Sequence, residues 1–173
     1  AFNVYDIRIP CKKAPLCYDF SASDELLNRK DVQEVLGVKG RKWKDCNMLV
    51  HTFLLGDWMT NLMPQIAEML DTSDLEVLVY SGDKDWICNW RGGEAWTLGT
   101  KWSNKRQFNK QEYESWEVNG TPAGAMRQYK NLHFLRVFDA GHMVPMDQPE
   151  NALAMMDRFI RNDWNLSSGS QII

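Results

Sequence analysis

Two short segments of this sequence combine an apolar run with a small-residue turn that carries a titratable side chain. Residues 75–85 (LEVLVYSGDKD) present Asp85, and residues 132–145 (LHFLRVFDAGHMVP) present His142. A serine hydroxyl is a poor nucleophile at its own pKa, so acyl transfer needs an imidazole to take the proton and a carboxylate to orient that imidazole. Asp85 and His142 are therefore candidates for the acid and the base of a Ser-His-Asp triad.

Both turns follow strand-like runs, and an α/β-hydrolase fold carries its acid and its base on the loops after neighbouring strands. In that fold the nucleophilic serine comes earlier in the chain, in a Gly-x-Ser-x-Gly motif that this sequence does not contain. We therefore expect the nucleophile on sequence outside this chain. Ser81 lacks the flanking glycines of such a motif and is expected to be structural. Asp83 competes with Asp85 for the acid role, but we expect it to accept backbone N–H bonds within its own turn.

The composition is that of a globular domain and excludes several classes of partner. Apolar residues make up 44% of the 173 residues, enough for a sizeable core. The net charge is -3 and no basic stripe is interleaved with aromatic residues, so nucleic acid is not an expected partner. The longest apolar stretch, residues 48–55, is far shorter than the roughly 20 residues of a membrane helix. His51 and His133 have no Cys, Asp or Glu at metal-ligand spacing, so no metal or other cofactor is expected.

Cysteines and glycosylation motifs point to an oxidising compartment. Cys11 and Cys17 bracket a short polar loop at a spacing that suits a local disulfide. Closing a loop of about seven residues contributes roughly 2.4 kcal/mol through chain entropy, so the bond would stabilise a surface loop rather than the whole domain. Asn119 and Asn165 each begin an Asn-x-Ser/Thr motif and are predicted glycosylation sites. Together these features favour the secretory pathway.

Periodic apolar residues and breaker residues predict the helices. Residues 23–25 can cap a short turn, and helices are expected over residues 31–36, 58–70 and 89–96. Pro64 should kink or restart the second of these helices. A closing helix is expected to begin at Pro149. Its apolar face is predicted to carry Leu153, Met156, Phe159 and Ile160.

Strand signals are fewer than a complete sheet needs. Residues 75–80 read as a parallel strand covered on both faces, and residues 132–138 as a second sheet strand. Between them, a polar insert at 101–130 contains Asn119-Gly120, a hairpin signal. We therefore expect residues 1–173 to be the carboxyl-terminal portion of one α/β-hydrolase domain, with a mixed, mostly parallel sheet, helices and a hairpin insert.

The sequence resembles the serine carboxypeptidases over essentially its whole length, and most closely their carboxypeptidase Y and cathepsin A branch. Several blocks carry the resemblance in the order in which the family has them. They are Tyr5-Asp6-Ile7-Arg8 with the Cys11 to Cys17 loop, Gly56-Asp57-Trp58-Met59, VYSGDKD at 79–85, Ile87-Cys88-Asn89-Trp90, Leu135-Arg136-Val137-Phe138 and Gly141-His142-Met143-Val144-Pro145.

The resemblance implies roles for individual residues. Asp85 is implied as the triad acid and His142 as the general base. Met143 would border the pocket of the leaving residue. The neighbouring substrate pockets would be lined by Trp58, Tyr5, Tyr18 and Cys88. Large aromatic residues near a cleft also serve as core, which is the alternative for these positions.

The resemblance also assigns the cysteines and the cellular setting. Cys11 and Cys17 look like the local bridge of the family, Cys46 like the partner of a cysteine in the absent amino-terminal portion, and Cys88 like a free thiol beside the active site. The implied partners are peptide substrates and that amino-terminal portion, with a homodimer also open. The implied location is the vacuole or lysosome, or outside the cell.

The expected activity is that of a serine carboxypeptidase, working at acid pH and releasing bulky apolar residues from peptide carboxyl ends through an acyl-enzyme. Because the nucleophile is expected elsewhere, this chain alone should hydrolyse no peptide. Two alternatives stay open at this point. Some relatives transfer acyl groups from sugar esters to alcohols, and the chain could also be a non-catalytic fragment or protective partner.

Overall fold

The computed structural model describes residues 2–14 and 16–164, so the motif at Asn165 lies outside the described residues. The chain forms two compact units. One comprises Ala1–Pro10 with Leu62–Ile173, and the other comprises Cys11–Asn61. Among the described residues, no helix has the length and apolarity needed to cross a membrane.

The smaller unit is built from short helices. They are α1 (Ser21–Asn28), α2 (Lys30–Val35), α3 (Met48–Phe53) and α4 (Leu55–Trp58). The α1 helix occupies the region where the sequence indicated only a capped turn. Gln33 is buried and its amide donates to the carbonyls of Leu27 and Arg41, which ties α2 to the segments on either side. Asn47 caps α3 by accepting the N–H of Leu49 at 3.0 Å.

A disulfide closes the Cys11–Cys17 loop of the smaller unit, as the spacing of the two cysteines predicts. The backbone of Cys17 has a positive φ of 63°, a conformation that costs energy for a residue with a side chain. Lys13 and Asp19 form an exposed ion pair at 2.8 Å within the same loop region.

Over its described residues, the larger unit contains five helices and a four-stranded sheet. The helices are α5 (Met63–Thr72), α6 (Trp90–Gly99), α7 (Lys105–Lys110), α8 (Val144–Asp147) and α9 (Pro149–Arg161). The strands are β1 (Val77–Gly82), β2 (Glu114–Val118), β3 (Thr121–Tyr129) and β4 (Leu132–Val137). Their order in the described residues is β1-β4-β3-β2.

The sheet is mixed, as expected for this α/β class, but one of its three described pairings is parallel, whereas a mostly parallel sheet was expected. Strands β1 and β4 are parallel and in register from Val77↔Leu132 to Gly82↔Val137, so the two chemically important turns leave the same end of adjacent strands. The other two pairings are antiparallel. The β2–β3 connection confirms the predicted hairpin: Asn119 and Gly120 both have positive φ, as a two-residue type I′ turn requires.

Strand β4 is the centre of the core. Its side chains alternate between two apolar clusters, with Leu132 and Phe134 on one face and Leu135 and Val137 on the other, all at most 1% exposed. Burying one such side chain fully is worth roughly 1.5–3 kcal/mol, so β4 is a rigid support for the residues that follow it. Strand β1 lies at the edge of the described sheet and is less covered than predicted, with Tyr80 41% exposed.

Two helix predictions need correction. Residues 58–70 do not form one helix; α5 begins at Met63 with Pro64 in its first turn, which confirms the predicted restart at this proline. The predicted face of α9 is wrong in three of its four residues: Leu153, Met156 and Ile160 are exposed, whereas Phe159 is half-buried. The helix packs instead through Ala152, Met155 and Arg158.

The buried face of α9 is explained by a contact of Arg158 that the pattern of apolar residues does not indicate. The Arg158 guanidinium lies 5.7 Å from the centre of the Trp116 ring, within the range of a cation–π contact, while Met155 joins the same apolar cluster. The small Ala152 lets the helix approach closely. Arg158, whose side chain has a long apolar stem, thereby occupies a buried position where a hydrophobic pattern predicts Leu or Ile.

Candidate active site

The turn after β1 carries Asp85, which is buried, with 6% of the residue exposed. The Oδ1 atom of Asp85 accepts the backbone N–H of Cys88 at 3.1 Å, so the turn itself orients the carboxylate. Gly82 ends the strand. A Cβ atom there would overlap the backbone carbonyl oxygens of Ala140 and Gly141, so only glycine lets the two loops lie this close.

The turn after β4 carries His142. Its backbone N–H donates to the carbonyl of Tyr5 at 2.8 Å. The preceding residue, Gly141, is also packed closely, since a Cβ atom there would lie 2.5 Å from the Tyr5 carbonyl oxygen. Two further backbone bonds join the turns, from the N–H of Asp83 to the carbonyl of Val137 and from the N–H of Lys84 to the carbonyl of Ala140, both at 2.9 Å.

The two turns bring Asp85 and His142 into direct contact. The distance between Asp85 Oδ2 and His142 Nδ1 is 2.9 Å. Because a carboxylate accepts and does not donate, this contact assigns the proton to Nδ1 and leaves Nε2 as an acceptor. The Asp85 side chain is 4% exposed and the His142 side chain 37% exposed. The imidazole is therefore oriented from the buried side and presents Nε2 outward, the arrangement that a general base needs.

Residues 2–10 hold both turns, a role that the sequence did not reveal. The Val4 carbonyl accepts the N–H groups of Trp86 and Ile87 at 3.2 and 3.0 Å, and the Ile7 N–H donates to the Lys84 carbonyl at 3.1 Å. The only sequence signal was the block Tyr5-Asp6-Ile7-Arg8, which indicated the family without indicating this function. Asn3 is fully buried, which marks the segment as part of the fold.

Asp6 and Arg8 form an ion pair next to the His142 turn. The guanidinium donates through Nε and Nη2 to the two carboxylate oxygens at 2.9 and 2.6 Å. This hydrogen bonding lowers the pKa of Asp6, although burial of the carboxylate acts in the opposite direction. The pair therefore stays charged at mildly acid pH.

Three predicted pocket residues lie beside the Asp85–His142 pair. The Tyr5 ring is 5.3 Å from the His142 ring, centre to centre. Met143 follows His142 at the start of α8 and is half-buried. Cys88 is exposed, and partial burial of its thiol, together with the nearby Asp85 carboxylate, raises the thiol pKa.

The other two predicted pocket residues, Trp58 and Tyr18, belong to the smaller unit, Cys11–Asn61. Trp58 is 66% exposed and its ring contacts the ring of His51 at 4.8 Å. Tyr18 is half-buried.

The competing residues have other contacts. The Asp83 carboxylate pairs with Lys84 at 2.9 Å and lies 3.6 Å from Arg136. It thus holds two cations rather than the backbone N–H groups we expected. Ser81 lies within β1 in register with Arg136, not on a turn.

A carboxylate oxygen of Asp85, the sulfur of Cys88 and a ring nitrogen of His142 lie within 4.8 Å of one another, a set that could hold a metal ion. Metal binding would require the thiolate form of Cys88, which the raised pKa of this thiol disfavours. It would also require breaking the Asp85–His142 hydrogen bond. This arrangement therefore favours acid–base chemistry over metal binding.

A buried carboxylate oriented by its own turn, bonded to an exposed imidazole on the turn after the adjacent parallel strand, has the geometry of the acid and base of an α/β-hydrolase. The sequence profile of the serine carboxypeptidases matches residues 1–162. The chain belongs to the serine carboxypeptidase family.

Individual relatives agree with this assignment. The chain is 43% identical over 165 residues to carboxypeptidase Y of Candida albicans, covering 94% of this chain and 30% of that protein. It is 45% identical over 168 residues to a serine carboxypeptidase-like protein of Oryza sativa subsp. japonica, covering 97% and 38%. The chain thus spans about a third of the length of these curated relatives.

A solved structure shows the same fold. It is that of Kex1(delta)p, a prohormone-processing carboxypeptidase from Saccharomyces cerevisiae, with a TM-score of 0.74 at 23% identity. The match covers 93% of this chain and 36% of that one.

Proposed function

We propose that this chain supplies the acid and the base of a serine carboxypeptidase that releases residues from peptide carboxyl ends through an acyl-enzyme. The 2.9 Å contact between Asp85 and His142 carries this proposal. His142 Nε2 takes the proton of a serine hydroxyl as the hydroxyl attacks the peptide carbonyl, then gives it to the leaving amine. Water attacks the resulting ester by the same route, while Asp85 stabilises the imidazolium.

The nucleophile is proposed to lie on the amino-terminal portion that the family's full-length members carry. The chain spans about a third of the curated relatives described above and contains no Gly-x-Ser-x-Gly motif. Triad residues act as a unit, and loss of the nucleophile costs on the order of 10⁶-fold in turnover. The isolated chain is therefore expected to be inactive.

The proposed substrates are peptides with bulky apolar carboxyl-terminal residues. The Tyr5 ring lies beside the His142 ring, and Met143 follows His142 in the chain and is half-buried, which supports an apolar pocket at the reacting bond. Cys88 would border the same pocket. Roles for Trp58 and Tyr18 in substrate binding rest on the family resemblance alone.

A covalent link to the amino-terminal portion is proposed through Cys46, which is exposed and unpaired within the described residues. The Cys11–Cys17 disulfide and the exposed Asn119 motif support an oxidising location, in the vacuole or lysosome or outside the cell. Intact-mass measurement before and after reduction tests the link. A second polypeptide released by reduction, with alkylation of Cys46 only afterwards, is the expected result. Alkylation of Cys46 in unreduced intact enzyme would contradict it.

A chimera tests the proposed activity. Residues 1–162 replace the matching region of Candida albicans carboxypeptidase Y, and the product is assayed at acid pH with blocked dipeptides and with acyl-glucose donors. We expect release of the carboxyl-terminal amino acid from the dipeptides, and loss of that release in His142→Gln at an unchanged melting temperature. Acyl transfer to alcohols without peptide hydrolysis would favour an acyltransferase instead.

The isolated chain is assayed in the same way as the chimera. No hydrolysis is expected from it. If the isolated chain releases amino acids and a serine-directed phosphonylating agent abolishes that turnover, the proposed division of the triad is wrong.

A further inference from the structure

We propose that Asp147 and Arg8 are positioning residues that hold the backbone of residues 139–142, the His142 loop, an inference that rests on the function proposed above. The Oδ2 atom of Asp147 accepts the backbone N–H of Gly141 at 2.6 Å. Gly141 directly precedes His142. The Asp147 carboxylate therefore fixes the peptide unit from which the imidazole extends.

Arg8 holds the other end of the same loop. Its Nη1 donates to the carbonyl of Asp139 at 2.6 Å, and its Nη2 lies 3.2 Å from Asp147 Oδ2. The guanidinium thus joins the first residue of the loop to the carboxylate that holds Gly141. Asp6, which is 2% exposed, fixes the guanidinium from behind through its two carboxylate oxygens.

Every residue from Asp139 to His142 has a backbone hydrogen bond to a neighbouring segment. The partners are Arg8 and Gln148 Nε2 at the Asp139 carbonyl, the Lys84 N–H at the Ala140 carbonyl, Asp147 at the Gly141 N–H and the Tyr5 carbonyl at the His142 N–H. Two of these are backbone-to-backbone bonds that form with the fold. The remaining partners are side chains. Of these, Arg8 and Asp147 are charged, and each can be removed separately by substitution.

The loop needs such restraint because Asp139 has a φ of 52°, in the left-handed region. Aspartate enters this region more readily than most residues with a side chain, but the conformation still costs energy, so the contacts at the Asp139 carbonyl help to hold it. A hydrogen bond to an ionised carboxylate is shorter and stronger than one to a neutral acceptor, which suits Asp147 to this task. Asp147 acts through His142 rather than on substrate.

The expected effect on catalysis depends on the distance between His142 Nε2 and the serine hydroxyl. His142 Nε2 must reach a hydroxyl on another part of the enzyme, and a misplacement of about 1 Å can cost on the order of 10²-fold in rate. Releasing Gly141 frees the backbone that sets this position. We expect kcat to fall while KM changes little, since the substrate pocket side chains stay in place.

The experiment uses the chimera described above with the variants Asp147→Ala, Asp147→Asn and Asp157→Asn. We expect Asp147→Ala to lower kcat by about 10- to 100-fold, with KM within about twofold of the parent. Asp147→Asn should lose less, because its amide oxygen can still accept the Gly141 N–H. Asp157 pairs with Arg161 on the surface of α9 at 2.7 Å, so Asp157→Asn removes a carboxylate without affecting the loop and should match the parent.

Proton NMR of the Nδ1–H of His142 separates positioning from simple destabilisation. In Asp147→Ala this proton should exchange with water faster than in the parent at the same folded fraction. Parent-like kcat and exchange in both Asp147 variants would overturn the proposal. If Asp147→Ala does not fold, Asp147→Asn, which keeps an acceptor for the Gly141 N–H but loses the charge that pairs with Arg8, should show the same changes in kcat and exchange at a smaller magnitude. A parent chimera without activity would refute the proposed function, while the exchange measurement would still decide whether Asp147 holds the loop.

Discussion

The backbone N–H of Cys88 donates to Asp85 Oδ1 at 3.1 Å, so both carboxylate oxygens of Asp85 are engaged, one toward Cys88 and the other toward His142. This arrangement decides which chemical groups can replace the carboxylate. Only a side chain that accepts at both positions keeps the proton of His142 on Nδ1.

Asp85→Asn tests this requirement. If the amide oxygen accepts the Cys88 N–H, the amide nitrogen faces His142 and donates to it, so the imidazole carries its proton on Nε2 and no longer acts as a base. We expect kcat of the chimera to fall by about 10⁴-fold. Steady-state hydrolysis of a blocked dipeptide measures this.

Asp83→Asn is the matched control, because Asp83 lies in the same turn and pairs with Lys84 rather than with His142. Its loss of activity should be at least about tenfold smaller. A larger loss in Asp83→Asn than in Asp85→Asn would reverse the assignment of the acid.

Gly82→Ala tests the close approach of the two turns. The added methyl group would overlap the carbonyl oxygens of Ala140 and Gly141, both of them backbone atoms that cannot rotate away. We expect destabilisation of about 1–3 kcal/mol or more, measured by urea unfolding of the chimera. Gly56→Ala is the control, since its Cβ meets nothing within 4 Å and it lies in α4, where alanine is favoured. Equal stability of the two variants would contradict the predicted overlap.

The strands and the turns that carry Asp85 and His142 could be predicted from the sequence because their signals are local. An apolar run ending in Gly82 and Asp85, and another ending in Gly141 and His142, indicate a strand and its turn without reference to the rest of the chain. Parallel pairing of β1 and β4 then follows from the fold class and brings the turns together.

The contacts that hold the turns could not be predicted, because they join distant parts of the chain through backbone groups. Val4 and Tyr5 contribute carbonyls, which every residue has, so their identity carries no signal. The same holds for Asp147, one acidic residue among many. On α9, the burial of Arg158 follows from its contact with Trp116, which helical periodicity does not encode.

Cys88 offers a prediction with a defined pH dependence. Thiol alkylation proceeds through the thiolate, and the pKa of Cys88 is raised by partial burial and by the Asp85 carboxylate. Its alkylation by iodoacetamide should therefore be slow at neutral pH and rise only above the ordinary thiol pKa of about 8.5. Asp85→Asn removes the carboxylate charge and should shift this rise to lower pH. Peptide mapping after timed labelling measures both, and an unshifted profile would show that Asp85 does not act on the thiol.

Asn119 is predicted to carry a glycan, because it lies in an exposed two-residue hairpin turn followed by the exposed Thr121. Thr121→Ala destroys the acceptor motif without changing the residue with positive φ, and Thr121→Ser preserves it. Expressed through a secretory pathway, Thr121→Ala should lose the mass of one glycan, and Thr121→Ser should not. Equal masses of the parent and Thr121→Ala would show that the site is unoccupied.

The ion pair between Asp6 and Arg8 predicts how the stability of the folded state changes at acid pH. Hydrogen bonds from Arg8 lower the Asp6 pKa, so the pair stabilises the folded state fully above the ordinary aspartate value of about 3.9. That stabilisation is lost as the pH falls through the lowered value in the folded state. Arg8→Met should therefore be less stable than the parent at mildly acid pH, and the difference should shrink as the pH falls below about 4.

Urea unfolding of the parent and Arg8→Met chimeras from about pH 6 down to about pH 2 measures this difference. Arg29→Met is the control, because it removes an arginine from an exposed pair with Asp31 that lies in the smaller unit. Exposed pairs contribute little, so this variant should follow the parent at every pH. A stability difference for Arg8→Met that stays constant to the lowest pH would mean that the Asp6 charge is not what Arg8 stabilises.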